Sequence, residues 1–106
     1  MSGTYVRVAR VEEIPEGEAR VFDVGPESVA LCRIDGRIYA IENVCTHDDG
    51  PLGEGFLDGC LIECPRHGAR FDVTSGAAVR MPAATPVRTF PVKVDEGEIF
   101  VGIEED

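Results

Sequence analysis

Two short donor pairs, Cys45-Thr46-His47 and Cys64-Pro65-Arg66-His67, constrain this chain more than any other feature. Sixteen residues separate His47 from Cys64, and both histidines of the chain lie inside these pairs. One thiol and one imidazole on each of two separated segments require a fold that brings two loops around a single inorganic object. Two thiolates with two imidazoles form the donor set that holds a [2Fe-2S] cluster, with sulfur on one iron and nitrogen on the other. Zinc also takes Cys₂His₂ sets, although its common fingers group the two cysteines in one pair and the two histidines in the other. The two metals imply different functions. Iron and sulfide move single electrons, whereas zinc would staple a non-redox interaction module.

The residue types decide what an iron centre here could do. Each iron of the cluster needs two protein ligands. Neutral imidazoles donate less charge than thiolates, so an iron carrying two of them is easier to reduce. The substitution raises the potential from about −400 mV to a range of about −150 to +300 mV. Gly50, Pro51, Gly53 and Gly55 follow the first pair, and Pro65 and Gly68 flank the second. These residues are expected to allow tight turns and positive φ, turning backbone N–H groups toward sulfur. The second pair runs on through Gly68-Ala69-Arg70-Phe71-Asp72 and turns at Thr74-Ser75-Gly76.

The rest of the chain reads as hairpins. Tyr5 to Val11 alternates apolar and charged residues, as a half-buried strand does, and Ala19 to Val24 is a second strand. Asp35-Gly36 between Leu31–Ile34 and Arg37–Ile41 is a type I′ hairpin signal, and Asp58-Gly59 between Gly55–Leu57 and Cys60–Glu63 is another. A short strand over Phe71 to Val73 follows the second pair. Arg80 to Pro86 is punctuated by proline and predicted irregular. Val87 to Val94 alternates again, with Pro91 marking an edge or a bulge. Asp95-Glu96-Gly97 turns the chain into a closing strand, Glu98 to Ile103. No long segment has helical periodicity, so the predicted class is all-β. The expected architecture is one domain over 1–106, an antiparallel sandwich or barrel-like base with a cluster-binding β subdomain inserted over about 43–76.

The run Cys45-Thr46-His47, Cys64-Pro65-Arg66-His67-Gly68 and Phe71-Asp72 resembles the Rieske iron–sulfur family and the small soluble ferredoxins within it. The resemblance implies one [2Fe-2S] cluster per chain, with Cys45 and Cys64 on the inner iron. It implies His47 and His67 on the outer iron through Nδ1, near the surface. A proline-containing loop covers the cluster in that family, and Pro82 or Pro86 could fill that place here or belong to a plain connector. The resemblance also implies an electron-transfer protein rather than an enzyme. Its expected partners are a flavin-containing NAD(P)H reductase and a terminal non-haem iron oxygenase, such as an aromatic-ring dioxygenase. The small subunit of a cytoplasmic NAD(P)H nitrite reductase is the alternative, although many such subunits lack the four ligands. The oxygenase role itself needs further histidines and a carboxylate for a mononuclear iron, and both histidines are already assigned.

Departures from the respiratory members of the family bear on the potential. Their cluster loops are bridged by a disulfide at positions that correspond to Gly50 and Arg66. Hydroxyls that bond the cluster sulfurs sit at the positions of Ala69 and Phe71. Without those donors, and with Asp48 and Asp49 beside His47, the expected potential is about −150 mV, the low end of the range. Histidine ligands carry titratable N–H groups, so the potential is expected to fall in alkaline solution.

Charge bounds the partners. Twenty acidic against ten basic residues give a net charge of −10, and no basic stretch occurs. Nucleic acid and anionic membranes are therefore not expected partners. An acidic carrier gains by steering toward basic docking sites. No apolar run follows Met1 and no stretch is long enough to span a bilayer, so a cytoplasmic protein is expected, and an acidic single domain is expected to be monomeric. Cys32 and Cys60 remain over, and are expected to be buried thiols.

Overall fold

The structure is a computed structural model, and it describes residues 2–44, 52–65, 68–80 and 86–105. Eleven strands form three antiparallel sheets among them. The first sheet joins β1 (Ser2–Arg10), β11 (Glu98–Glu105) and β10 (Val92–Asp95), in that order. The second joins β2 (Ala19–Val24), β3 (Glu27–Ile34), β4 (Arg37–Glu42) and β9 (Thr89–Phe90). The third joins β5 (Phe56–Asp58), β6 (Leu61–Glu63), β7 (Arg70–Asp72) and β8 (Ala78–Arg80). Two 3₁₀ turns, Val11–Glu13 and Leu52–Glu54, are the only helical elements described.

Turn chemistry fixes the hairpins. Asp35 and Gly36 both have positive φ, at 52° and 78°, as a type I′ turn requires, and the β3–β4 ladder closes at Ile34↔Arg37. The β5–β6 turn differs from the sequence reading by one residue. Asp58 pairs with Leu61, so the two turn residues are Gly59 and Cys60. Only Gly59 of the two has positive φ, which is the glycine-first II′ pattern.

The second sheet is the middle layer. Val29, Ala30, Leu31 and Cys32 are buried in succession along β3, a pattern possible only when both faces of the strand are covered. On one face Val29, Leu31, Ile38 and Ala40 pack with Ile99, Val101 and Ile103 of β11. On the other, Ala30, Cys32 and Ile41 pack with Ile62, Cys64, Phe71 and Val73 of the third-sheet segment, together with Leu52 and Val87. The third sheet therefore lies on the base, and its strands fall between β4 and β9 in the chain.

Pro91 lies between two edge strands, as its sequence context suggests, because β9 is the edge of the second sheet and β10 the edge of the first. Phe90 still pairs with Ala40, while Val92 pairs with Val101. The chain changes sheets at the proline, whose missing N–H ends one ladder, while its carbonyl accepts from Gly102 N–H at 2.9 Å. Strand β8 is not apparent from sequence. It pairs with β7 across a register irregularity between Arg70 and Phe71, and carries the third sheet beyond Gly76 to Arg80.

Candidate metal centre

Cys64 is the one sequence-derived ligand that lies among the described residues. Cys45, His47 and His67 fall outside them, as do Asp48, Asp49, Gly50, Arg66 and Pro82. Cys64 follows β6 directly. The hairpin of β6 and β7 holds the 64–69 loop between its arms, ending on the pair Glu63↔Arg70. Cys64 N–H donates to the Ala69 carbonyl at 2.7 Å, and Gly68 N–H donates back to the Cys64 carbonyl at 3.2 Å. Gly68 makes this return with φ +76°, a conformation glycine adopts without strain.

The surroundings of Cys64 suit a thiolate ligand. Its side chain is 1% exposed, it is in no disulfide, and it is buried with Ile62, Ala69 and Phe71. No hydrogen bond to its sulfur is present among the described residues. A soft donor in a dry, apolar wall meets the requirement of an iron–sulfur centre. Ala69 and Phe71 are fully buried beside it, so the absence of hydroxyls at these positions is an absence next to the ligand loop.

The first ligand segment is clamped at both ends. Asn43 N–H donates to the Ser28 carbonyl at 2.9 Å, and its Nδ2 donates to Ser28 Oγ at 3.1 Å. Its Oδ1 accepts from Gly53 N–H at 2.6 Å. One side chain thus ties the backbone two residues before the first pair to the 3₁₀ turn after it, and both to β3. Gly53 serves differently from the sequence expectation. Its φ is not positive, and its N–H goes to Asn43 rather than toward sulfur. It must be glycine because a Cβ would come within 2.5 Å of Val21 Cγ2 and 3.0 Å of the Ala30 Cβ. Gly55 is likewise a close approach, since a methyl group there would overlap the Glu63 carbonyl. Sequence reading missed the Asn43–Gly53 clamp, and the only signal was an Asn two positions ahead of Cys45.

The two leftover cysteines part company. Cys32 is buried as expected, and burial pushes its thiol up to about 12. Cys60 is exposed, contrary to the expectation, because it occupies the second position of the β5–β6 turn. Pro86 is exposed, and Val87 after it is buried and donates its N–H to the Gly76 carbonyl at 2.8 Å. The segment that returns from 81–85 is therefore anchored on the turn that follows β7. Among the described residues no helix is long and apolar enough to cross a membrane.

Comparison with known proteins extends these observations over the whole chain. Residues 4–91 match the family model described as the Rieske [2Fe-2S] domain. The ferredoxin component of the naphthalene 1,2-dioxygenase/salicylate 5-hydroxylase systems of Ralstonia sp. is 36% identical over 104 residues, covering 98% of this chain and all of that protein. The ferredoxin of carbazole 1,9a-dioxygenase from Nocardioides aromaticivorans IC177 superposes with a TM-score of 0.89 at 40% identity, over 92% of this chain and 96% of that one. A chain from the complex of reduced oxygenase and oxidized ferredoxin in carbazole 1,9a-dioxygenase gives 0.88 at 37% identity, over 96% and 95%.

Proposed function

This chain belongs to the Rieske [2Fe-2S] family, and from that premise we propose that it passes electrons from a flavin-containing NAD(P)H reductase to a terminal non-haem iron oxygenase of the aromatic-ring dioxygenase kind. It is a one-electron carrier with a [2Fe-2S] cluster, and it is not itself a catalyst. When bound, the cluster accepts and returns one electron at a time. Cys45 and Cys64 would hold one iron, and His47 and His67 the other.

The chain's own residues have three tasks. The Asn43–Gly53 clamp holds the first ligand segment on β3. The β6–β7 stem holds the second, closed by the Cys64–Ala69 backbone bond. The apolar wall of Ile62, Ala69 and Phe71 keeps water from the Cys64 side. We further place the protein in the cytoplasm as a monomer, meeting its partners transiently and drawn to basic docking sites by its charge of −10.

The observation that carries this reading is the buried, unbridged Cys64 at the root of a hairpin loop, in a chain that matches oxygenase ferredoxins along nearly its full length. Two measurements test it. Electron paramagnetic resonance of the dithionite-reduced protein should give a signal whose average g lies below that of all-cysteine clusters. Iron-replete protein with no such signal defeats the ligand assignment. Stopped-flow mixing should then show oxidation of the reduced carrier by an aromatic-ring dioxygenase. Failure with every such oxygenase, alongside rapid exchange with a nitrite reductase large subunit, would move the protein to the alternative role.

A further inference from the structure

The stem of the second ligand loop ends in an ion pair. Glu63 closes β6 and Arg70 opens β7, directly opposite each other, while Ile62 and Phe71 next to them point into the core. Arg70 Nε donates to Glu63 Oε1 at 2.8 Å, and its Nη1 reaches Asp58 Oδ2 on β5 at 3.4 Å. One guanidinium thus crosses three strands. Its hydrogen bond to Glu63, the largest cause, holds its pKa above the ordinary arginine value.

This pair differs from the other described ion pairs of the molecule. Its side chains are 23% and 22% exposed, whereas Arg7–Glu98, at 49% and 39%, is typical of the rest. A sheltered pair is less screened by water and salt. Its second oxygen also has a particular neighbour. A Cβ placed on Gly68 would find Glu63 Oε2 at 3.9 Å, so the carboxylate lies along the backbone of the ligand loop, beside the residue that follows His67. Glu63 itself immediately precedes Cys64.

We propose that the Glu63–Arg70 pair sets the reduction potential of the centre, with Arg70 a positioning residue that cancels the Glu63 charge and fixes the stem of the ligand loop. The inference rests on the iron–sulfur reading above. Adding an electron adds negative charge, and an uncompensated carboxylate beside the loop opposes it. A lone guanidinium favours it. Asp58 is 68% exposed and is the weaker third member, its charge largely screened.

The test is voltammetry of the anaerobically prepared full-length protein and four variants, each first assayed for iron, acid-labile sulfide and visible absorption. Arg70→Gln should lower the ratio of reduced to oxidised protein at fixed solution potential by about threefold or more, which is about 28 mV for one electron. Glu63→Gln should raise it by a comparable factor. The double variant should return toward the parent value, and Arg70→Lys should stay near it. Opposite signs are what charge produces and a purely structural role does not. Shifts of the same sign in both single variants, or no shift in either, overturn the proposal. Should Arg70→Gln lose its cluster, Glu63→Gln and Arg70→Lys decide alone: a raised potential in the first with a parental potential in the second supports the proposal, and any other result overturns it. A parent protein without iron and sulfide defeats the underlying iron–sulfur reading, which the first assay reveals before any potential is measured.

Discussion

The two faces of the middle sheet are covered in different ways. Toward the base, β3 and β4 present Val29, Leu31, Ile38 and Ala40 to an aliphatic face of β11. Toward the ligand loops, β3 offers only Ala30 and Cys32, and the bulk comes from the opposite side, as Leu52, Ile62, Phe71 and Val73. The base core is thus made by long strands with regular alternation. The ligand-side core is made by three-residue strands and loop residues, with Cys64 among them. Long ladders hold their own backbone in place, while short ones depend on what they enclose. The difference predicts a base that persists without the centre and a third sheet that does not.

Removing a ligand is the strongest way to break this comparison. Cys64→Ser should abolish visible absorption and iron retention. Amide exchange should then rise in β5–β8, while β3 and β11 keep their protection. Equal loss of protection in all three sheets would show that the base depends on the centre as well.

Core truncation comes next. Phe71→Ala removes the largest fully buried side chain and should cost about 3–5 kcal/mol, with cluster release at lower denaturant than global unfolding. Leu31→Ala on the base side should cost about 2–5 kcal/mol, but with both transitions shifted together. Urea titrations followed by visible absorption and far-ultraviolet circular dichroism separate the two cases.

Alkaline solution probes Cys32 on the ligand side. Its thiol is raised from the ordinary 9.0 to about 12 by burial. The unfolded chain therefore ionises first and binds fewer protons. The contribution of the neutral thiol is complete below pH 9 and is lost as pH climbs to about 12. Cys32→Ala should flatten stability across that window, and an unchanged slope would disprove the assignment. The smallest effect is at Cys60. Cys60→Ser at the exposed turn should change stability by less than about 0.5 kcal/mol, yet it should remove the fast-reacting thiol from a labelling assay of the loaded protein.

The same contrast decides what could be read from the residues alone. Asp35-Gly36 announced its turn because positive φ at both positions selects those residue types, whereas at Glu96-Gly97 only the glycine carried that signal. The all-β class followed from alternation in the long strands. Strand β8 was hidden because Ala78-Val79-Arg80 is too short to show a period and is paired through a bulge. The change of sheet at Pro91 was hidden because a missing N–H ends a ladder without saying where the next one begins. At the proposed centre, the donor types single out the candidate ligands, whereas the Asn43–Gly53 clamp depends on the nearness of Val21 and Ala30, which no spacing in the chain reveals. Cys60 was misplaced because a cysteine near apolar residues usually belongs to a core, and here a one-residue shift of the turn put it outside.

Burial of four consecutive β3 residues has a bearing on engineering. A redox cassette excised between β4 and β9 would take the ligand loops and leave behind Ala30, Cys32 and Ile41, the floor on which they stand. Grafting electron transfer onto a new scaffold would thus mean moving the β3–β4 ribbon along with the loops, or finding a host whose sheet already offers small side chains at those two β3 positions.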